Sequence, residues 1–191
     1  MIYTIDRAIF GGLNSLAGVA PFFDMAVRFS AVYLIFAMIV GVLALAGLWA
    51  QKNRERAFFM LVLTFISSFV ARVVIAEPVR ILVARARPYE VLPAIHQLVD
   101  HALGRSFPSG HATLAFAIAG AVFFVHRKAG VVLFFVAGIV SISRVIAGVH
   151  WPSDVAAGAI LGMATAWAAY RVMMRKDRAL NAATSFLPRK L

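Results

Sequence analysis

Long apolar runs separated by short charged turns give the chain its pattern, and that alternation predicts its elements. The first clear run covers roughly Phe29 to Ala50 and ends at the polar turn 51–56. The second covers roughly Ala57 to Ala76 and is expected to stop at Glu77-Pro78. The third runs from about Gly110 to Val125 and is closed by His126, Arg127 and Lys128; the fourth runs from Gly130 to Val149. The fifth begins at Pro152 or Ser153, since proline suits the first position of a helix, and ends near Met174. A bilayer core takes roughly 20 apolar residues to cross as a helix, so these runs predict about five transmembrane helices.

Two stretches fall outside that count. Residues Ile2 to Ala17 place Ile5, Ile9, Phe10 and Leu13 at near-helical spacing, which predicts an N-terminal interfacial helix, or a sixth span in its place. The segment from Val79 to Ser109 is too charged to cross lipid. Within it Val91, Leu92, Ile95, Leu98, Val99 and Leu103 recur at helical spacing, predicting a short amphipathic helix on the membrane or over a site. Gly158 and Gly162 form a small-xxx-small pair of the kind that lets helices pack closely.

Composition fixes the class. Mean hydropathy is +0.87, 62% of residues are hydrophobic and 14% are charged, against about a quarter charged in soluble domains. The chain therefore reads as an all-α integral membrane protein of one domain, 1–191, with an interfacial segment at 1–27, a motif-bearing core at 77–154 and a basic cytoplasmic tail at 175–191. Asp6 and Arg7, followed by Gly11, Gly12 and Asn14, make a poor signal-peptide core. The absence of cysteine excludes thiolate chemistry and Cys-ligated metal.

A net charge of +11 raises nucleic acid as a partner, but the basic residues form no single stripe or arm. Topology accounts for them better. Alternating the five spans puts the 51–56 turn, the Arg127 turn and the tail on one face, with eleven positive and two negative charges, net +9. The other face holds eight arginines and six carboxylates, net +2. The positive-inside rule assigns the +9 face to the cytoplasm and the other to the periplasm or exterior.

Candidate chemistry collects on that outer face in three clusters: Arg80, Arg85 and Arg87-Pro88; Pro108-Ser109-Gly110-His111; and Ser143-Arg144 followed by His150 and Asp154. Arginine near a transmembrane segment is costly unless it pairs or lines a polar cavity. Here local carboxylates are too few, which implies an anionic ligand. Guanidinium forks match phosphate oxygens, and the free amides at a helix start bind anions, so Ser109 and Gly110 complete an oxyanion cradle. A phosphate ester held there needs a nucleophile and a proton donor: His150, backed by Asp154, suits the first, and His111 the second. Magnesium prefers a carboxylate cluster, and its absence from the sequence favours a metal-free, cofactor-free mechanism.

Plainer roles fit other residues. Arg7, Arg28 and Arg171 read as snorkelling anchors, and His96, His101 and His126 as surface histidines. Arg72 is open between snorkelling and facing the site. Arg85 and Arg105 are open between the cradle and pairing with Glu90, Asp100 or headgroups.

Arg80-x6-Arg87-Pro88, Pro108-Ser109-Gly110-His111 and Ser143-Arg144-x5-His150-x3-Asp154 resemble the three signature motifs of the type 2 phosphatidic acid phosphatase superfamily, over roughly Glu77 to the end of the fifth span. The one departure is Arg80, where the family has lysine, so a fork replaces a point charge. The resemblance implies that His150 attacks phosphorus to form a phosphohistidine, oriented by Asp154, while His111 protonates the leaving group. It also implies that Arg80, Arg87, Ser109, Gly110 and Arg144 hold the phosphoryl oxygens, without metal. The short chain and brief N-terminal helix look most like bacterial undecaprenyl-diphosphatases of the bacitracin-resistance type. These act on the outer face of the inner membrane, where they recycle the cell-wall lipid carrier. The expected partners are a membrane lipid substrate and the bilayer. Phosphatidylglycerophosphate, phosphatidic acid and lipid A phosphates are alternatives, and a non-catalytic lipid-phosphate binder is a reading of a different class.

Overall fold

In a computed structural model, residues 2–100 and 104–184 are described, with side chains from 4 to 100 and from 104 to 175. The order is α1 (Ile2–Asn14), α2 (Pro21–Val32), α3 (Leu34–Ala50), α4 (Arg54–Phe69), a π-helical stretch (Val70–Ala76), α5 (Glu77–Val83), α6 (Pro88–Val91), α7 (Gly110–Val125), α8 (Arg127–Ile146) and α9 (Pro152–Thr184). The protein is an all-helical, multi-pass membrane protein. The α4–α6 stretch, α8 and α9 are each long and apolar enough to cross a bilayer, and α2 with α3 makes a fourth if the pair, bent by 55°, counts as one span.

Helix α7 sits at the centre. Its 16 residues give about 24 Å of rise, less than a full crossing, but protein covers it: Ala112, Ala115, Ile118, Ala119, Ala121 and Val122 are all buried. Against α9 the two backbones nearly touch. A Cβ on Gly158 would lie 2.7 Å from the Ser109 carbonyl oxygen, and one on Gly162 would lie 2.3 Å from that of Thr113. The small-residue pair is therefore a close-packed seam. On the other side, Ile35, Met38, Val42 and Met60 meet Ile118, Val122 and Val140. Lipid tails are as apolar as these side chains, so their fit, more than any flight from water, favours the assembly.

Turn chemistry sets the ends away from the motifs. Asn53 caps α4 by accepting from the Arg56 amide, and His126, which reads as a surface histidine, caps α8 by accepting from the Ala129 amide. Its ring also packs on Trp49, with centroids 4.6 Å apart.

Three expectations change. The first span starts earlier, at Pro21, and bends at Tyr33; the Ala31 carbonyl just before the bend accepts from Arg144 Nη1 at 3.1 Å. A side chain that enters the helix ladder is a known cause of kinks. The second span does not stop at Pro78. The missing proline N–H falls just after the π-helical stretch, and the chain stays helical to Val83.

The amphipathic helix over the site is absent from residues 92–100, which are irregular; Leu103 and His101 lie outside the described residues. Pro93 cannot continue a helix from α6. The backbone of His96 turns instead to Asn14, whose side chain donates to the His96 carbonyl at 2.7 Å and accepts from its amide at 3.1 Å. Leu92 and Ile95 still bury against Phe10 and Trp151, and Leu98 and Val99 against Val149. Apolar spacing predicted their burial but not their backbone.

Candidate active site

All three motif clusters reach one end of the bundle: the C-terminal end of α5, the N-terminus of α7, and the junction of α8 with α9. Two local features aim them. Ala84 takes the left-handed conformation (φ 50°) at the end of α5, turning the chain so that Arg85 and Arg87 follow outside the helix. Gly148 (φ 80°) turns the chain after α8, where a Cβ would lie 2.7 Å from the His96 carbonyl oxygen. His150 follows this turn, and Asp154 lies in the first turn of α9.

His150 is 2% exposed and lies between two charged partners. Its Nε2 is 3.3 Å from Arg87 Nη1, and its Nδ1 is 3.5 Å from Asp154 Oδ2. One ring nitrogen faces the arginine and the other the carboxylate. Arg87 is 1% exposed, and three carbonyls fix its fork: Gly104 on Nε at 2.9 Å, Val149 on Nη1 at 2.7 Å and Arg105 on Nη2 at 3.4 Å. Arg80 donates to the same Arg105 carbonyl and to Glu77. Arg144 is likewise buried.

Ser109 is buried at the N-cap of α7. Its amide donates to the Asp154 carbonyl at 3.0 Å, and its hydroxyl accepts a long contact from the Ala112 amide. Pro108, also buried, precedes it and is joined to Phe107 by a cis peptide bond. His111 is half-buried in the first turn of the helix. Gly110 makes room for Arg72: a Cβ there would lie 2.7 Å from Arg72 Nε. Arg72, left open above, thus faces the site and pairs with Glu77. Ser143 does not join this group; it lines an apolar cleft between α2 and α8.

The largest surprise lies behind Asp154. Arg85 pairs with neither Glu90 nor the cradle alone. Its Nη1 donates to Asp154 Oδ1 at 2.7 Å and to Ser153 Oγ at 2.6 Å, and its Nη2 donates to Asp6. Asp6, 3% exposed on α1, also accepts from the Ser153 amide at 2.9 Å and from its hydroxyl. Burial would raise the Asp6 carboxyl, but hydrogen bonds from Ser153 and Arg85 outweigh it and hold the group below the usual carboxylate range. Asp154 Oδ2 takes the Trp151 amide at 2.9 Å, so its orientation is fixed twice over. Glu90 instead accepts from the Arg87 backbone amide, and Arg105 donates to the Ile81 carbonyl.

A family model, the PAP2 superfamily, matches residues 56–178. The chain belongs to this superfamily. Among relatives, it is 32% identical over 154 residues to the bacitracin transport permease protein BcrC of Bacillus licheniformis, covering 81% of this chain and 73% of that protein. It is 30% identical over 166 residues to the putative undecaprenyl-diphosphatase YbjG of Escherichia coli K12, covering 85% and 80%. The fold is similar to the crystal structure of a PAP2-type phosphatidylglycerolphosphate phosphatase from Bacillus subtilis, with a TM-score of 0.66, 22% identity and coverage of 91% and 87%. The protein is therefore a PAP2 lipid phosphatase with a membrane-embedded fold.

Proposed function

We propose that this PAP2 phosphatase hydrolyses a polyprenyl diphosphate, in bacteria undecaprenyl diphosphate, to the monophosphate, recycling a lipid carrier for cell-wall synthesis. The observation that carries the mechanism is the two-sided environment of His150. Nε2, which faces the Arg87 fork, is the nitrogen that attacks the terminal phosphorus; Nδ1, which faces Asp154, keeps its proton. As the P–N bond forms, the bridging P–O bond breaks, and His111 gives a proton to the leaving lipid phosphate. Water then attacks the phosphohistidine, His111 takes its proton, and the P–N bond breaks to release inorganic phosphate. Arg80, Arg87 and Arg144, with the Ser109 and Gly110 end of α7, hold the phosphoryl oxygens; positioning and charge do most of the work in such transfers. No metal or other cofactor enters this scheme.

The substrate class follows from the relatives of Bacillus licheniformis and Escherichia coli, one named for bacitracin transport and the other as a putative undecaprenyl-diphosphatase. In this reading α7 is the short third span, which makes five in all, and α1 lies at the interface. The motif end faces the periplasm or exterior of the plasma membrane, opposite the +9 face.

Purified protein assayed with prenyl diphosphate, phosphatidylglycerophosphate and phosphatidic acid is expected to release phosphate fastest from the first, with full activity in EDTA. Preference for either glycerolipid would replace the substrate assignment, and loss on chelation would overturn the metal-free step.

A further inference from the structure

Arg72 belongs to none of the three motif clusters, yet its guanidinium lies along Gly110, the residue that precedes His111 in the chain. It stands eight residues before Arg80, about two helical turns, on a helical stretch that runs toward the site. The side chain reaches back up to Glu77, which it shares with Arg80. Two guanidiniums on one carboxylate leave a positive charge, and the Arg72 side chain is 34% exposed, within reach of a ligand.

What lies beneath gives this charge a purpose. Ser68, one helical turn before Arg72, and Leu114, one turn after Gly110, both line an apolar groove between α3, α4 and α7. Val42, Leu61, Phe65 and Ile118 complete much of its wall, and its volume is about 210 Å³. Arg72 thus stands between a groove fit for a hydrocarbon chain and the cradle where phosphorus is attacked.

We infer that Arg72 binds the lipid-linked phosphate of a diphosphate substrate whose chain lies in the α3–α4–α7 groove, and so sets the preference for diphosphate over monophosphate. The inference rests on the diphosphatase reading above. When the bridging P–O bond breaks, negative charge gathers on the departing lipid phosphate, and Arg72 meets it there. A lipid monophosphate has only an ester oxygen at that place and gains little from the guanidinium.

The test compares a prenyl diphosphate with the monophosphate of the same chain length, using the full-length protein in detergent. Arg72→Gln should lower kcat/KM for the diphosphate roughly 30-fold, the loss of a charge-assisted contact, and lower that for the monophosphate only a few-fold. Arg72→Lys keeps the charge but loses the fork, so the ratio of the two should shift by about 3-fold. Equal losses on both substrates, or no loss on either, overturn the inference. If the Gln variant does not fold, the Lys variant decides alone, and an unchanged ratio counts against it. A wild-type enzyme that spares prenyl diphosphate strikes the parent reading instead, before any variant is made.

Discussion

The two ends of the bundle use the same residue type in opposite ways. At the motif end Arg87 and Arg144 are each 1% exposed, and the carbonyls of Val149, Gly104 and Ala31 and the carboxylates of Asp6 and Asp154 fill the space around the basic groups. At the far end Lys52, Arg54, Arg56, Arg127 and Lys128 are exposed. Burying a guanidinium in or beside a membrane is costly, so the first set persists because each fork is held in one pose. The second set is exposed and contributes chiefly its summed charge, with Arg127 also resting over the Phe123 ring. Position in the sequence does not separate the two kinds; enclosure does.

Breaking the buried end should cost most at its centre. His150→Ala should reduce turnover by at least roughly four orders of magnitude with the fold intact, measured by phosphate release and by thermal unfolding in detergent; an active variant would remove the nucleophile.

One step outward lies the Asp6 latch. Asp6→Asn should destabilise the protein by about 3 kcal/mol, since it breaks a buried pair, and lower kcat roughly tenfold with a smaller change in KM. The pH response sharpens this. A carboxyl held below its ordinary value lends stability that is present above the ordinary aspartate range and is lost as pH falls through the lowered value. The wild type should therefore lose thermal stability at acid pH more steeply than Asp6→Asn; parallel curves would show that the latch contributes nothing.

At the far end, Arg54→Gln with Lys128→Gln should change stability by no more than about 0.5 kcal/mol and leave kcat within a factor of about two, since no ligand contact is lost. A large effect there would erase the contrast between the ends.

Much of the buried end was legible in the chain because its residues sit in short motifs. His150 and Asp154 are one turn apart, and Arg80 and Arg87 flank one corner. Asp6 was not, because its partners Arg85 and Ser153 lie 79 and 147 residues away and no local pattern links them. Its one signal was a carboxylate on the apolar, near-helical stretch of α1, a costly place unless it pairs. Residues 92–100 fooled periodicity for a related reason. Spacing reports which side chains bury, while Pro93 and the distant amide of Asn14 chose the backbone. The bend at Tyr33 has no proline or glycine to announce it; the donor beside it, Arg144, comes from more than a hundred residues later.

The seam between α7 and α9 bears on how such enzymes diversify. His111 rides on one of these helices and the His150–Asp154 junction on the start of the other, and at Gly158 and Gly162 backbone rests on backbone. The side chains nearest Gly158 there are the small ones of Thr113 and Ala112, 3.0 and 3.1 Å from where its Cβ would lie, so the seam has no room for a larger residue. The packing of the two helices that carry His111 and the His150–Asp154 junction thus leaves little scope for gradual adjustment. The opposite wall, along α3 and α4, is lined by side chains such as Val42, Leu61 and Phe65, and there residue size is free to vary.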